Sequence, residues 1–160
     1  MSIGVHPWLN SRVVKQKFKL TIAYDGTAYQ GWQWQKTGTG VQEKVEAALA
    51  KLFPSKPRIH GSSRTDTGVH ALGMVAHFEI PRAEFKMTTA RLALALNAWL
   101  PADIRVFSAS RAPAKFHARF DDSALHVLTP RSIVQAKTSY GGTSPESVRR
   151  QIKKIKQLSK

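Results

Sequence analysis

A short polar loop that ends in glycine, Arg64-Thr65-Asp66-Thr67-Gly68, contains the residue types best suited to chemistry in this sequence. The chain has only 10 acidic residues, so an aspartate in such a loop stands out. A guanidinium two residues away would keep the Asp66 carboxylate ionised, and an ionised carboxylate can act as a nucleophile or a base. Gly68 would let the backbone pass close to a ligand. Spacing alone favours a simpler interpretation, a turn in which Asp66 caps a following backbone N–H group.

Further along the chain, Lys115, His117 and Arg119 alternate with less polar residues. A period of two predicts that these three side chains share one strand face, where they could contact phosphates or bases. A solvated basic face explains the pattern equally well. Trp32 and Trp34 offer a similar choice, because tryptophans can stack on bases, whereas aromatic residues near a strand end more often belong to the core.

Metal and nucleotide cofactors are not predicted. His60, His70 and His77 do not have the spacing of a compact ligand set. The absence of cysteine from the sequence excludes disulfides, cysteine-bound zinc, iron–sulfur clusters and thiol catalysis. Gly38-Thr39-Gly40 precedes a predicted helix, but Glu43 stands where a third glycine would be and no Gly-Lys-Ser/Thr sequence follows.

The charge balance favours a polyanionic partner. The 160 residues include 25 Lys and Arg against 10 Asp and Glu, which gives a formal net charge of +15. Nucleic acid is the usual partner of so basic a small protein, because Lys and Arg neutralise phosphates. No stretch approaches the roughly 20 apolar residues that a spanning helix needs, and residues 1–10 lack the pattern of a signal peptide. We therefore expect a soluble, cytoplasmic protein that binds nucleic acid and no membrane.

Strands and helices are predicted on both sides of these loops. Alternation predicts strands at 18–24, 58–61, 74–80 and 104–107, and helical spacing predicts helices at about 41–52 and 88–100. Thr39 and Gln42 stand in capping-box register before the first helix. The apolar stripe of the second helix is expected to comprise Leu92, Leu96, Trp99 and Leu100. The aromatic-rich segment 29–34 is expected to be an exposed or cleft-lining loop.

The predicted element order is strand, helix, strand, strand, helix, strand, which is that of a ferredoxin-like split βαβ unit. The fold class is therefore α+β, a βαββαβ unit with an antiparallel sheet and two helices on one face. We expect a loose leader over 1–16, a folded domain over 17–124 and a basic tail over 125–160. Within the tail, 125–128 is predicted as a short strand, and 145–159 is predicted either as a short helix or as a disordered basic tail.

A series of motifs occurs along roughly residues 17–124. They are Leu20-Thr21-Ile22-Ala23-Tyr24-Asp25-Gly26-Thr27, Gly31-Trp32-Gln33, Arg64-Thr65-Asp66-Thr67-Gly68-Val69-His70-Ala71, Leu96-Asn97 with Leu100-Pro101, Asp103-Ile104, and Phe116-His117-Ala118-Arg119-Phe120. In this order they resemble the N-terminal half of the TruA-type tRNA pseudouridine synthases. The third motif is highly specific in this setting and overrides the interpretation of Asp66 as a simple turn residue.

The resemblance implies half of a pseudouridine synthase fold and an isomerase that uses no cofactor and no metal. Uridine in the anticodon stem-loop of tRNA is flipped out, its N-glycosidic bond is broken, and the base is rejoined to the ribose through C5. The family's catalytic aspartate falls on Asp66, which would either attack the sugar carbon or remove a ribose proton. Both roles need an ionised, desolvated carboxylate beside a cation, here Arg64.

The resemblance also implies the binding residues and the partners. Arg64, Thr65, His70 and Arg119 fall on substrate-binding positions. The implied partner is tRNA, and the implied assembly is a homodimer.

From about Leu125 the sequence departs from the family pattern. The family continues with a strand that carries an active-site tyrosine, whereas this chain has Leu125-His126-Val127-Leu128, and its only later tyrosine is Tyr140. The family's second half is therefore expected to be missing or replaced. Three hypotheses follow: an active pseudouridine synthase, a catalytically silent RNA-binding remnant that keeps Asp66, and an unstable fragment with uncovered apolar surface.

Overall fold

The computed structural model describes residues 13–121, the backbone of residues 126–128, and residue 150. In chain order the elements are β1 (Lys15–Tyr24), a 3-10 turn (Gly26–Ala28), α1 (Val41–Leu52), β2 (Ile59–Gly61), β3 (His70–Pro81), a second 3-10 turn (Arg82–Glu84), α2 (Thr89–Trp99), β4 (Ile104–Ala112), α3 (Ala118–Asp121) and β5 (His126–Leu128). The predicted leader lies outside the described residues up to position 12. The predicted helix at 145–159 also lies outside them, except for Arg150, which is helical.

The strands form one antiparallel sheet with β3 and β1 in the middle of the order β2-β3-β1-β4. β3 has two neighbours along one edge, because β2 pairs with its C-terminal part and β5 with its N-terminal part. His70 is opposite Leu128 in β5, and His77 is opposite His60 in β2. This strand order confirms the predicted ferredoxin-like α+β fold.

The main core lies between the sheet and the two long helices. The alternating residues of β1 that face the helices are fully buried, as their period of two predicts: Phe18, Leu20, Ile22 and Tyr24. They share one core cluster with Leu49 of α1 and Leu96 of α2. Both helices therefore cover the same face of the sheet, and the opposite face is left to the polar side chains of β1 and β3.

The first long helix starts where the sequence predicts, but the predicted capping box is wrong. No side chain caps α1, which begins after Gly40. Its first N–H groups are satisfied by the preceding loop instead, because Val41 donates to the carbonyl of Gly31 (3.1 Å) and Gln42 to that of Trp32 (2.8 Å). The Gln42 side chain is thus free to donate to the carbonyl oxygen of Ile59 at 3.1 Å.

The second long helix matches its predicted range, and its predicted stripe is correct except for one residue. Thr88 caps α2 by accepting a hydrogen bond from the Arg91 N–H. Leu92, Leu96 and Leu100 are buried, but Trp99 is 57% exposed. A spacing of four residues places the three leucines on one narrow face, and the Trp99 ring lies beside it, under the Lys51 ammonium group.

The segment 115–120 is not a strand, so the predicted shared strand face is wrong. His117 starts the helical turn α3, since its carbonyl oxygen accepts hydrogen bonds from the N–H groups of Phe120 and Asp121. The Asp121 carboxylate accepts one from the His117 N–H at 2.6 Å. Such local side-chain-to-backbone bonds favour a turn over the alternation in the sequence. Lys17 fastens the segment to the sheet, donating to the carbonyl oxygens of Ala114 (2.8 Å) and Phe116 (2.7 Å).

Candidate active site

The loop between β2 and β3 folds into a turn that starts at Asp66. The carbonyl oxygen of Asp66 accepts a hydrogen bond from the Val69 N–H at 3.2 Å. Gly68 has φ +76°, a conformation that glycine adopts without strain. Its N–H donates to the carbonyl of Tyr29 at 3.1 Å and so ties the turn to the segment 29–34. The turn is made by the backbone, which leaves the Asp66 carboxylate outside it.

Thr65 holds the loop against the end of β1. Its hydroxyl lies 2.7 Å from the Tyr24 hydroxyl in a buried hydrogen bond, and its carbonyl accepts from the Trp32 N–H at 3.2 Å. Burial raises the pKa of Tyr24, so this phenol stays protonated. Because Thr65 is buried, its neighbours Arg64 and Asp66 are the residues whose side chains are exposed.

Two glycines allow the segment after β1 to approach this loop closely. A Cβ on Gly31, which has φ +89°, would lie 2.2 Å from the carbonyl oxygen of Thr65. A Cβ on Gly26 would lie 1.9 Å from the carbonyl oxygen of Val69. Contacts this short exclude any other residue without backbone movement, so both glycines are required for the position of the loop.

His70 lies beneath the turn that follows β1. Its Nδ1 is 3.0 Å from the Gly26 nitrogen and 3.1 Å from Oδ1 of Asp25. A backbone N–H can only donate, so Nδ1 accepts and the ring proton belongs on Nε2. The Asp25 carboxylate itself accepts from the N–H and the hydroxyl of Thr27. His70 is buried, which favours a role in supporting the loop rather than in contacting a ligand.

A basic cavity of about 480 Å³ opens beside the Asp66 loop. Arg64 and Arg119, which are far apart in sequence, both line it together with His60 and His117. The remaining lining residues are Trp32, Gln33, Gln42, Ile59, Gly61, Ser62 and Ser63. Among the described residues no carboxylate lines this cavity, so its charge suits an anionic ligand such as an RNA backbone.

Two of the histidines that line this cavity, His60 and His117, come together with a third, His77. The ring of His77 lies 5.2 Å from that of His60 and 4.6 Å from that of His117, measured between centroids. Burial, reinforced by the neighbouring cations, lowers the pKa of His77 to about 4. Its Nδ1 accepts a hydrogen bond from the Ala118 N–H at 3.1 Å. His77 is thus a neutral residue that links β3 to α3.

The predicted site residues therefore fall into two groups. Arg64, Asp66 and Arg119 are exposed, and the two arginines share the cavity; Thr65 and His70 are buried supports. Within residues 13–121 the Asp66 carboxylate has no hydrogen bond and no ion pair with Arg64. The expected desolvated carboxylate is thus not formed by this part of the chain alone.

Two features of the site were not predicted from the sequence. Tyr24 was assigned to the core by its alternation, but its hydroxyl also anchors Thr65, and no local pattern indicates a hydrogen bond to a residue 41 positions away. The second unpredicted feature is the contact of the His60 ring with the rings of His77 and His117. The register of β2 on β3 produces it, and the sequence shows only three separate histidines.

Membrane-spanning helices and metal-binding groups are both absent from the part of the chain that the structure describes. No helix there combines the length and the apolar character needed to cross a bilayer. No group of three or more His, Cys, Asp or Glu side chains there has an arrangement that could hold a metal ion.

The chain is similar to known tRNA-modifying proteins. Residues 20–121 match the family model described as tRNA pseudouridine synthase. The tRNA pseudouridine synthase A of Geobacter sp. (strain M21) is 50% identical over 111 residues, which is 69% of this chain and 44% of the relative. That of Citrifermentans bemidjiense is 49% identical over 111 residues, 69% of this chain and 43% of the relative.

A third relative, the tRNA pseudouridine synthase A of Rhodospirillum rubrum, is 47% identical over 105 residues, 65% of this chain and 37% of the relative. The chain therefore spans less than half the length of the curated relatives it matches. The matched region includes the Asp66 loop, both arginines of the cavity and β2, β3 and β4 of the sheet. The resemblance inferred from the motifs is confirmed: the chain belongs to the TruA-type tRNA pseudouridine synthase family.

Proposed function

We propose that this chain contributes the catalytic aspartate of a tRNA pseudouridine synthase, and that Asp66 is that residue. One observation carries the proposal: the buried Thr65 anchor leaves both Arg64 and Asp66 exposed, and Arg64 lines a basic cavity. An aspartate two residues from an arginine of that cavity can meet a nucleotide whose phosphates the cations neutralise. Family membership supports the reaction type.

The reaction we propose is an isomerisation of uridine within the RNA chain. The bond from ribose C1′ to N1 breaks and a bond from C1′ to C5 forms; C5 loses its proton and N1 gains one, so atoms and charge balance. Asp66 would act on the ribose, either by attack on the sugar carbon or by removing a ribose proton. This rearrangement consumes no oxidant, reductant or cofactor.

Each predicted binding residue has its own role in this proposal. Arg64 and Arg119 would hold the RNA, since both line the cavity. Arg64 would also help keep the site open once the base leaves the stack, a step that costs a few kcal/mol. Thr65 and His70 would act indirectly, by holding the loop in place through their bonds to Tyr24 and Gly26.

We also propose a substrate and a cellular location. The substrate is a uridine in the anticodon stem-loop of tRNA, and the cytoplasm is where we expect the protein to act. A second copy of the chain, or a further segment, would cover the exposed Asp66 and supply the desolvation that its chemistry needs. Sedimentation of the protein at several concentrations tests the homodimer.

Tritium release tests the catalytic proposal directly. tRNA labelled with tritium at C5 of uridine should release the label to water when the chain is added in excess, and Asp66→Ala should abolish the release. Arg91→Gln is the matched control, because Arg91 is an exposed cation on α2 and does not line the cavity. If the parent chain releases no tritium while it is folded and bound to tRNA, the chain is not catalytic by itself.

The second candidate is an RNA-binding protein without catalysis. It is favoured by the lack of contacts to the Asp66 carboxylate within residues 13–121, and by the sequence of β5, where His126, Val127 and Leu128 include no tyrosine. This candidate predicts tRNA affinity that falls steeply with salt and does not change in Asp66→Ala. Binding that is independent of salt would count against it.

A further inference from the structure

A second basic cavity adjoins the first one. It has a volume of about 370 Å³ and is lined by Lys17, Arg58, His60, His77, Glu79 and His117. His60 and His117 line both cavities, so the two spaces are neighbours across this pair of rings. A chain of nucleotides in the first cavity can therefore continue into the second.

Two of the charged groups that line this second cavity are already engaged with each other. The Lys17 ammonium lies 3.1 Å from Oε1 of Glu79 and also donates to two backbone carbonyls. Among residues 13–121, Glu79 is the one carboxylate that lines this cavity, and it is thus paired with a lysine. The charge left for a ligand comes from the remaining side chains.

Arg58 and His60 are those side chains. Both are exposed, and within residues 13–121 neither makes a hydrogen bond or an ion pair. His117 stands opposite His60, with 6.4 Å between ring centroids. Its Nδ1 accepts a long hydrogen bond, 3.3 Å, from the Arg119 N–H. The neutral His77 packs against both of these rings.

We propose that Arg58, His60 and His117 form a second binding subsite, for a backbone phosphate of the RNA at a distance from the reacting uridine. The inference rests on the proposed function for the identity of the RNA. A guanidinium and two imidazoles around one cavity are donors that suit a phosphate oxygen. A phosphate bound there releases counterions from the RNA, so the subsite adds to the salt dependence of binding.

Two of the other lining residues do not compete for the phosphate. Glu79 is paired with Lys17, and His77 is neutral because burial lowers its pKa to about 4. The phosphate is therefore bound by the Arg58 guanidinium and by ring N–H groups of His60 and His117.

The test measures the affinity of the full chain for an RNA hairpin the size of an anticodon arm at several salt concentrations. Arg58→Gln should weaken binding and reduce the slope of log affinity against log salt by about 0.7–0.9, because one phosphate contact by a cation is lost. His60→Phe keeps a ring to stack on His77 but has no N–H donor, so it should weaken binding by about fivefold.

Two further variants separate the subsite from folding effects. His117→Asn retains an acceptor for the start of α3 and should weaken binding in the same way as His60→Phe. Arg91→Gln, on α2 and outside the lining of both cavities, should change neither the affinity nor the slope.

The outcomes distinguish this proposal from the proposed function. RNA affinity that is unaffected by both Arg58→Gln and His60→Phe would overturn the subsite, even if tritium release is intact. Affinity that depends on both residues in a chain that releases no tritium would overturn the catalytic proposal alone. In a separate titration, inorganic phosphate should shift the ring NMR signals of His60; a response to inorganic phosphate with none to RNA would identify a site for a free anion instead and overturn the RNA assignment.

Discussion

The hydroxyl of Tyr24 lies 2.7 Å from the hydroxyl of Thr65, in a buried hydrogen bond between the last residue of β1 and the loop that carries Asp66. Both partners are almost fully buried, so neither can exchange this bond for one to water. The position of Asp66 thus depends on a tyrosine in the core of the sheet.

Tyr24→Phe should destabilise the fold by about 1–3 kcal/mol, because it leaves the Thr65 hydroxyl buried without this partner. Thr65→Val should have a cost of similar size. In the double variant the two losses should not add, since both changes remove the same bond. Urea unfolding of the four proteins measures this coupling, and additive losses would show that the bond contributes nothing.

Gly31→Ala and Gly68→Ala form a matched pair at two left-handed positions. A Cβ at Gly68 meets nothing within 4 Å, so its substitution should cost only the backbone strain, about 1–2 kcal/mol. At Gly31 the Cβ would also strike the Thr65 carbonyl, so that variant should be clearly less stable. Thermal unfolding of both variants compares them, and equal losses would argue against the close approach of the two loops.

Acid should destabilise the protein through His77. Its pKa in the folded chain is lowered from 6.5 to about 4 by burial, so the unfolded chain takes up the proton first. The neutral His77 makes its full contribution to the free energy of unfolding above about pH 6.5. This contribution, on the order of 3 kcal/mol, is lost as the pH falls toward 4. His77→Gln should be less stable at neutral pH and should lose less stability between the two pH values. Unfolding of both proteins in denaturant at each pH measures the difference, and parallel losses would contradict this assignment.

Lys17→Met should release the segment 114–121 from the sheet. The ammonium group donates to two carbonyls of that segment at 2.7–2.8 Å, and hydrogen bonds to a charged group contribute about 1.5–3 kcal/mol. Faster amide hydrogen exchange across α3 would reveal the loss. Glu79→Gln removes only the ion pair with a carboxylate that is 41% exposed, and exposed pairs contribute about 0–1 kcal/mol. Equal exchange in the two variants would assign the anchoring to the ion pair instead.

Periodicity was sufficient to predict the sheet and both long helices. The alternation of Phe18, Leu20 and Ile22 predicts which face of β1 is buried, and the spacing of the leucines predicts the buried face of α2. The segment that contains His117 could not be predicted in this way. It also alternates, but the outcome depends on local bonds from Asp121 and on the contact with Lys17, which comes from a strand far away in sequence.

The candidate site, like the fold, could be predicted from the sequence only in part. The motif around Asp66 identified the loop, because its residue types are specific to the family. The convergence of Arg64 and Arg119 on one cavity is a tertiary effect of the β2–β3 register and of the fold of α3, which no spacing in the sequence contains. The burial of Thr65 and His70 is likewise decided by partners in and just after β1.

β3 runs without a break from His70, next to the Asp66 loop, to His77 in the histidine cluster. A strand rises about 3.3 Å per residue, so the two ends of this stretch are separated by roughly 23 Å. A stacked nucleic-acid strand covers that span in about seven nucleotides. Because neighbouring strands hold β3 on both edges, the span cannot adjust to the ligand. If both proposals hold, the protein selects a uridine by its fixed distance from a remote phosphate, whatever the bases between them.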